Sequence, residues 1–251
     1  MRDVSGALQT YSNTEALSAL TWLVDAGVDC LVEDTPFDWL ARPAPVQTPP
    51  PAVAEPLIPC VTDAVVEARA AVVDADTLTA LETAIRDFDG CGLAAYGAPL
   101  FASGTPGSAV MLIGDMPTAE GVFAGAAGLL LDRMLASIGL SRGTAYLANL
   151  VYWPTPGGRA PAPAEIAACA PVLARHSELA APRLVLALGG AAAAALTGID
   201  GGINRLRGKW QTGASGVAVL PTFHPAQLLV QPTLKALAWR DLLTFRARLI
   251  V

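Results

Sequence analysis

Histidine and cysteine are scarce in this chain. It has two histidines, His176 and His224, and four cysteines, Cys30, Cys60, Cys91 and Cys169, in 251 residues. The cysteines lie far apart and none forms a C-x-x-C pair. A metal site needs several close ligands, which this spacing does not supply. Isolated thiols of this kind read as buried side chains. Charged residues are only 15% of the chain. The most apolar stretches, around Leu184–Leu196 and Val122–Leu131, are short, rich in Ala and Gly, and flanked by charge, so no membrane span is expected. The opening MRDVSGALQT lacks the apolar centre of a secretory signal. A cytoplasmic protein is the expectation. Neither G-x-G-x-x-G nor G-x-x-x-x-G-K-[ST] occurs, which weakens a reading as a nucleotide-binding α/β protein. Gly189-Gly190 at the start of a helix is all that such a reading has in its favour.

Apolar residues are plentiful, at 53%. The length suits one sizeable α/β domain with an appendage. The net charge of −6 hides an asymmetry. Before Gly114 there are fifteen acidic and four basic residues; from Gly114 onward there are seven acidic and twelve basic. Contacts with phosphate depend on local potential, so the second half is the one suited to a nucleic acid.

Residues 14–27 place Leu17, Leu20 and Leu23 at helical spacing. A Pro-rich linker follows over residues 43–60. This divides the chain into an N-terminal helical extension (1–42), the linker (43–60) and a main domain (75–251). Within the domain a helix is predicted over Thr77–Phe88, and after it strands and helices alternate. The strands are Ala109–Ile113, Ala145–Val151, Arg183–Leu188 and Val217–Thr222. The helices are Ala126–Ile138, Pro163–Leu179, Ala191–Leu196 and Thr233–Leu249. Alternation of this kind implies a three-layer α/β/α fold around a central four-stranded parallel sheet. Ligands of such sheets bind at the carboxyl ends of the strands.

The residues that follow the strands carry chemistry. Gly114-Asp115-Met116-Pro117 follows the first, with Phe123 beyond it; the second contains Asn149 and runs into Trp153; the third ends in Gly189-Gly190 and the fourth in Thr222-Phe223-His224-Pro225. An acid, an aromatic, an amide and an imidazole suit removal of a base from DNA. The base must be flipped out, stacked and read by its polar edge. Phe123 can stack on it, and Asn149 offers one donor and one acceptor. A carboxylate helps the positive sugar and orients water, and a neutral imidazole N–H helps the departing anion. Alone, each has a plainer use: Asp115 as a turn or cap residue, Asn149 as a partner for loop backbone, Phe123 as core, His224 as structure.

As an ordered set, "GDMP", "VFAGAAGLLLDRML", "GLSR", "AYLANLVYWPTPGGRAPAPAEIAAC", "RLVLALGGAAAAALTG", "INRLRGKW", "PTFHPAQLL" and "KALAWRDLL" resemble the family-four uracil-DNA glycosylases and their bacterial relatives, from about Leu78 onward. The resemblance implies a DNA-repair hydrolase of the N-glycosidic bond, acting on uracil or a related deaminated base, as a monomer on DNA. It implies that Asp115 activates water, Phe123 stacks on uracil, Asn149 reads it and His224 stabilises the leaving base, with Gly114 and Met116 beside the base. Leu228 and Leu229 fall in the loop that enters the duplex, and Arg207, Lys209 and Lys235 near phosphate.

Three departures stand out. The family's G-E-A-P-G is Gly114-Asp115-Met116-Pro117-Thr118 here, one methylene shorter at the acid. The stretch from Thr118 to Phe123 is short. Many family members bind an iron–sulfur cluster through four cysteines, but here Cys91 and Cys169 match two of the positions while Phe88 and Trp153 occupy the others. No cluster and no other cofactor is expected. The altered acid motif leaves a second reading open, a DNA-binding module of the same fold with weakened catalysis.

Overall fold

The computed structural model describes residues 61–249, together with Leu17, Ser18 and Thr21, which are helical. The rest of the expected helix over 14–27, and the Pro-rich linker over 43–60, lie outside the described residues.

Four strands run parallel: β2 (Val110–Gly114), β3 (Tyr146–Asn149), β4 (Leu184–Leu188) and β6 (Ala218–Thr222). All but the first residue of β6 are buried along their length. Burial on both faces explains why they read as unbroken apolar runs rather than as alternation. Two two-residue strands, β1 (Ser103–Gly104) and β5 (Gln211–Thr212), pair antiparallel at the two edges. The sheet therefore has six strands, ordered β1-β3-β2-β4-β6-β5. Edge pairs this short carry no periodicity from which to predict them.

Successive side chains of the central strands go to opposite layers. Val110, Leu112, Leu147, Leu186, Leu188 and Leu220 pack with α3 (Gly125–Ser137) and α8 (Lys235–Leu249). Met111, Ile113, Tyr146, Ala148, Val185 and Val219 pack with α4 (Pro163–Ala180) and α5 (Gly190–Thr197). This is the three-layer α/β/α arrangement. Short helices α6 (Ile203–Leu206) and α7 (Pro225–Val230) flank β6, and a 3-10 turn at Pro232–Leu234 leads into α8.

A further cluster joins α1 (Val61–Val72) and α2 (Leu78–Arg86) to α4. Helix α1 buries Ala64, Ala68 and Val72, one turn apart on one face. Thr77 caps α2, its Oγ1 accepting the Ala80 N–H at 3.1 Å. Within the same cluster His176 lies fully buried between two hydroxyls, Tyr146 at 2.8 Å and Tyr152 at 3.0 Å, with its ring stacked on Phe101. Those tyrosines flank Asn149 in sequence, so the pair fixes both sides of the strand end that carries it.

The chain passes from β2 to β3 on one side and then to β4 on the other. The crevice of a doubly wound sheet opens where the winding reverses, here between the carboxyl ends of β2 and β4.

Candidate active site

Asp115 stands at that reversal. Its Oδ1 accepts the backbone N–H of Ala192, in the first turn of α5, at 3.1 Å. The carboxylate lies on Gly189, where a β-carbon would come within 3.1 Å of it. Gly189 also has φ 106°, a conformation that favours glycine. Asp115 thus caps a helix that no local side chain caps. Burial pushes its carboxyl up to about 6, and the Ala192 hydrogen bond works in the opposite direction.

Gly114 pairs in register with Asn149 across β2 and β3. A β-carbon on Gly114 would sit 2.4 Å from the Phe123 ring and 2.8 Å from Asn149 Oδ1. The missing side chain is what lets the ring and the amide meet there. Asn149 is wholly buried, and neither Oδ1 nor Nδ2 has a hydrogen-bond partner. A buried amide with both ends unpaired costs stability, so it calls for an explanation outside packing.

Phe123 has φ 50°, rare for a residue with a side chain. The short stretch before it closes on itself: the Thr118 and Gly121 backbones exchange two hydrogen bonds of 3.1 Å, and Thr118 Oγ1 also donates to Gly121 O. The Phe123 ring lies 5.8 Å from that of His224, at 25°. His224 caps α7, its Nδ1 accepting the Ala226 N–H at 3.2 Å. That bond takes the Nδ1 lone pair and leaves the proton of the neutral ring on Nε2. Burial lowers its pKa to about 4, so the ring is neutral at pH 7.

The other expected residues fall in varied places. Met116 turns toward Thr155, whose hydroxyl is 2.8 Å from its sulfur. Lys209 and Lys235 are exposed. Arg207 is not free at the surface: its guanidinium donates to both Asp241 oxygens, at 3.0 and 2.6 Å, and to Leu237 O at 2.5 Å, and it lies over the Phe223 ring. Asp241 also accepts from Thr222 Oγ1 at 2.8 Å, so this buried network fixes the strand end leading into His224. Of the two leucines expected to enter the duplex, Leu228 is 1% exposed and belongs to the core, since α7 turns it inward; Leu229 at 42% and Val230 at 81% face outward. Sequence reasoning missed Val230, Asp241 and Arg142. Nothing in the sequence marks Asp241, but Arg142 closes the "GLSR" motif.

Residues 101–243 match the model of the Uracil DNA glycosylase superfamily. The type-4 uracil-DNA glycosylase of Sulfurisphaera tokodaii is 33% identical over 151 residues, 55% of this chain and 69% of that protein. That of Pyrobaculum aerophilum is 34% identical over 148 residues, 54% of this chain and 76% of the relative. That of Thermotoga maritima is 37% identical over 110 residues, 43% of this chain and 56% of the relative.

This chain belongs to the uracil-DNA glycosylase superfamily.

The four-thiolate iron–sulfur cluster associated with this family does not fit the residues described at this place in the fold. Cys91 and Cys169 are buried with their sulfurs 3.9 Å apart. Phe88 and Trp153, which the sequence resemblance sets at the other two ligand positions, are packed into the same cluster with ring centroids 6.4 Å apart. Aromatic carbon cannot ligate iron, and the two thiols among the described residues fall short of four. Among the described residues no group of three or more His, Cys, Asp and Glu side chains gathers to hold a metal ion.

Proposed function

We propose that this uracil-DNA glycosylase hydrolyses the N-glycosidic bond of uracil, or a closely related deaminated base, in DNA, with Asp115, Phe123, Asn149 and His224 as its working residues. The observation that carries this reading is the unpaired Asn149 amide, buried beside Phe123 where Gly114 leaves room. Uracil presents N3–H and O4 on one edge. Asn149 Oδ1 accepts from the first and Nδ2 donates to the second, which satisfies both orphaned atoms at once.

The C1′–N1 bond breaks with its electron pair going to the base. The charge that develops on uracil O2 takes a hydrogen bond from His224 Nε2–H, which needs no proton transfer because the ring is neutral. Water adds to C1′, and Asp115 orients it and takes up its proton. A base with a pKa near 6 is ionised at pH 7 yet still basic enough for that task. Leu229 and Val230 face the space a flipped nucleotide vacates, and Lys209 and Lys235 reach phosphate; Arg207, bound to Asp241, holds the His224 segment instead. The protein acts as a monomer on cytoplasmic DNA.

The test is abasic-site formation from oligonucleotides carrying one uracil, single-stranded or opposite guanine. Product from both forms is expected. DNA binding without product, even at enzyme excess, would instead favour a binding module in which the Ala192 bond has turned Asp115 into a helix cap.

A further inference from the structure

We infer that Arg142 is a positioning residue for base stacking: its guanidinium, set by Asp132, holds Phe123 in the left-handed backbone conformation that presents the ring to the base. The inference rests on the glycosylase reading.

Arg142 Nη2 donates to Phe123 O at 2.6 Å and Nη1 to Val122 O at 3.2 Å, so one planar fork holds two successive carbonyls. The fork is aimed by Asp132 of α3, whose Oδ1 accepts from Arg142 Nε at 2.7 Å. A residue with a side chain keeps a φ of 50° only where its surroundings over-determine it. Here they do. The Phe123 carbonyl also rests on Gly128, where a β-carbon would lie 1.9 Å from its oxygen and 3.1 Å from Arg142 Nη2. Helix α3 begins at Gly125, two residues after Phe123, and its N-cap residue Ala124 has no side chain that can cap it, so no local side chain fixes the chain's entry. The fork does so from the loop before β3. At the other end of the same residue, the ring is held against Gly114 and Asn149 and within 5.8 Å of His224. Lysine keeps the charge of arginine but is a point donor, without a planar fork for two carbonyls.

The experiment is a double-mutant cycle of Arg142→Lys and Phe123→Ala, in proteins shown to be folded by their melting curves. The readout is the single-turnover rate of uracil excision. Arg142→Lys alone is expected to slow excision about a hundredfold, the usual cost of a misplacement near 1 Å. In the Phe123→Ala background it is expected to cost less than about threefold, because the ring it positions is gone. Gly128→Ala, whose added β-carbon would displace the same carbonyl, is expected to slow excision likewise. Losses that multiply in the double variant would show that Arg142 acts on the fold at large and would overturn the inference. The same cycle is read in the Kd for an oligonucleotide carrying 2′-fluoro-2′-deoxyuridine, whose glycosidic bond resists cleavage. A wild type that binds this probe yet releases no uracil from the ordinary deoxyuridine oligonucleotide refutes the glycosylase reading, while the cycle in Kd still judges Arg142.

Discussion

The carboxylate of Asp115, at the end of one central strand, accepts the N–H of Ala192 in the helix that follows the neighbouring strand. One side chain thus closes a helix terminus and faces the crevice between β2 and β4. Its charge is held where burial opposes it, which pushes the carboxyl up to about 6. Folding favours the neutral form of such a group, so its ionisation works against stability as pH rises through 6.

Asp115→Asn should therefore separate function from stability. The amide oxygen still accepts from Ala192, and the charge penalty disappears. Melting at pH 8 is expected at or above the wild-type temperature, while excision falls by about 10²–10⁴-fold, the usual contribution of a general base. Wild-type activity should fall on acidification with a midpoint near pH 6, and the residual activity of the variant should lack that limb. A variant with the wild-type pH profile would remove Asp115 from the chemistry.

Asn149→Leu is expected to go the same way for a different reason. The substitution nearly preserves volume and removes two unpaired buried polar atoms, each group of that kind costing about 1–3 kcal/mol. For a domain of this size about 1 kcal/mol shifts Tm by roughly 2–4 °C. Calorimetry should show a higher Tm, and the excision assay no product. A lower Tm would mean that the amide is paired within the free protein.

The sequence placed the four parallel strands well, because burial on both faces writes them as unbroken apolar runs. Asp115 and His224 fall just past such strands and Asn149 ends one, so their positions at the sheet edge were legible from the same runs. Helix α1 went unread: its buried positions are mostly alanines, and it directly follows a Pro-rich stretch. Leu228 and Leu229 are adjacent and alike in sequence. Only the phase of α7 on the core decides which faces out. The cap from Asp115 to Ala192 and the left-handed Phe123 depend on contacts between residues distant in sequence, and no local pattern encodes either.

His176 and His224 make the fold sensitive to acid. Burial holds them at about 3 and about 4, below the ordinary 6.5. Both folded values are depressed, so the unfolded chain takes up protons first. The contribution to stability is intact above pH 6.5 and is lost as pH falls toward those values. Each histidine adds about 1.4 kcal/mol per pH unit to the slope in that window. His176→Phe leaves two tyrosine hydroxyls without a partner and lowers stability at pH 7, yet its urea-unfolding free energy should fall less steeply from pH 6 to pH 4. An unchanged slope would mean that His176 takes up its proton as readily in the folded protein as in the unfolded chain.

Asp241→Ala should act at a distance from the base. It leaves the largely buried Arg207 guanidinium without its carboxylate, which costs about 3–5 kcal/mol for buried pairs. It also frees Thr222, so the His224 segment loosens. Unfolding by urea should show the loss, and excision should fall through kcat more than through KM. Full stability would show that the pair contributes little.

In the proposed reaction the Asn149 amide reads the base and the neutral His224 ring stabilises its departure. The most direct measurement is single-turnover release of uracil from a single-stranded oligonucleotide by the wild type, Asn149→Ala and His224→Ala at equal enzyme excess. Rapid release by the wild type and a loss of at least about a hundredfold in each variant, with DNA affinity retained, is the predicted result. Release by both variants at the wild-type rate would contradict it.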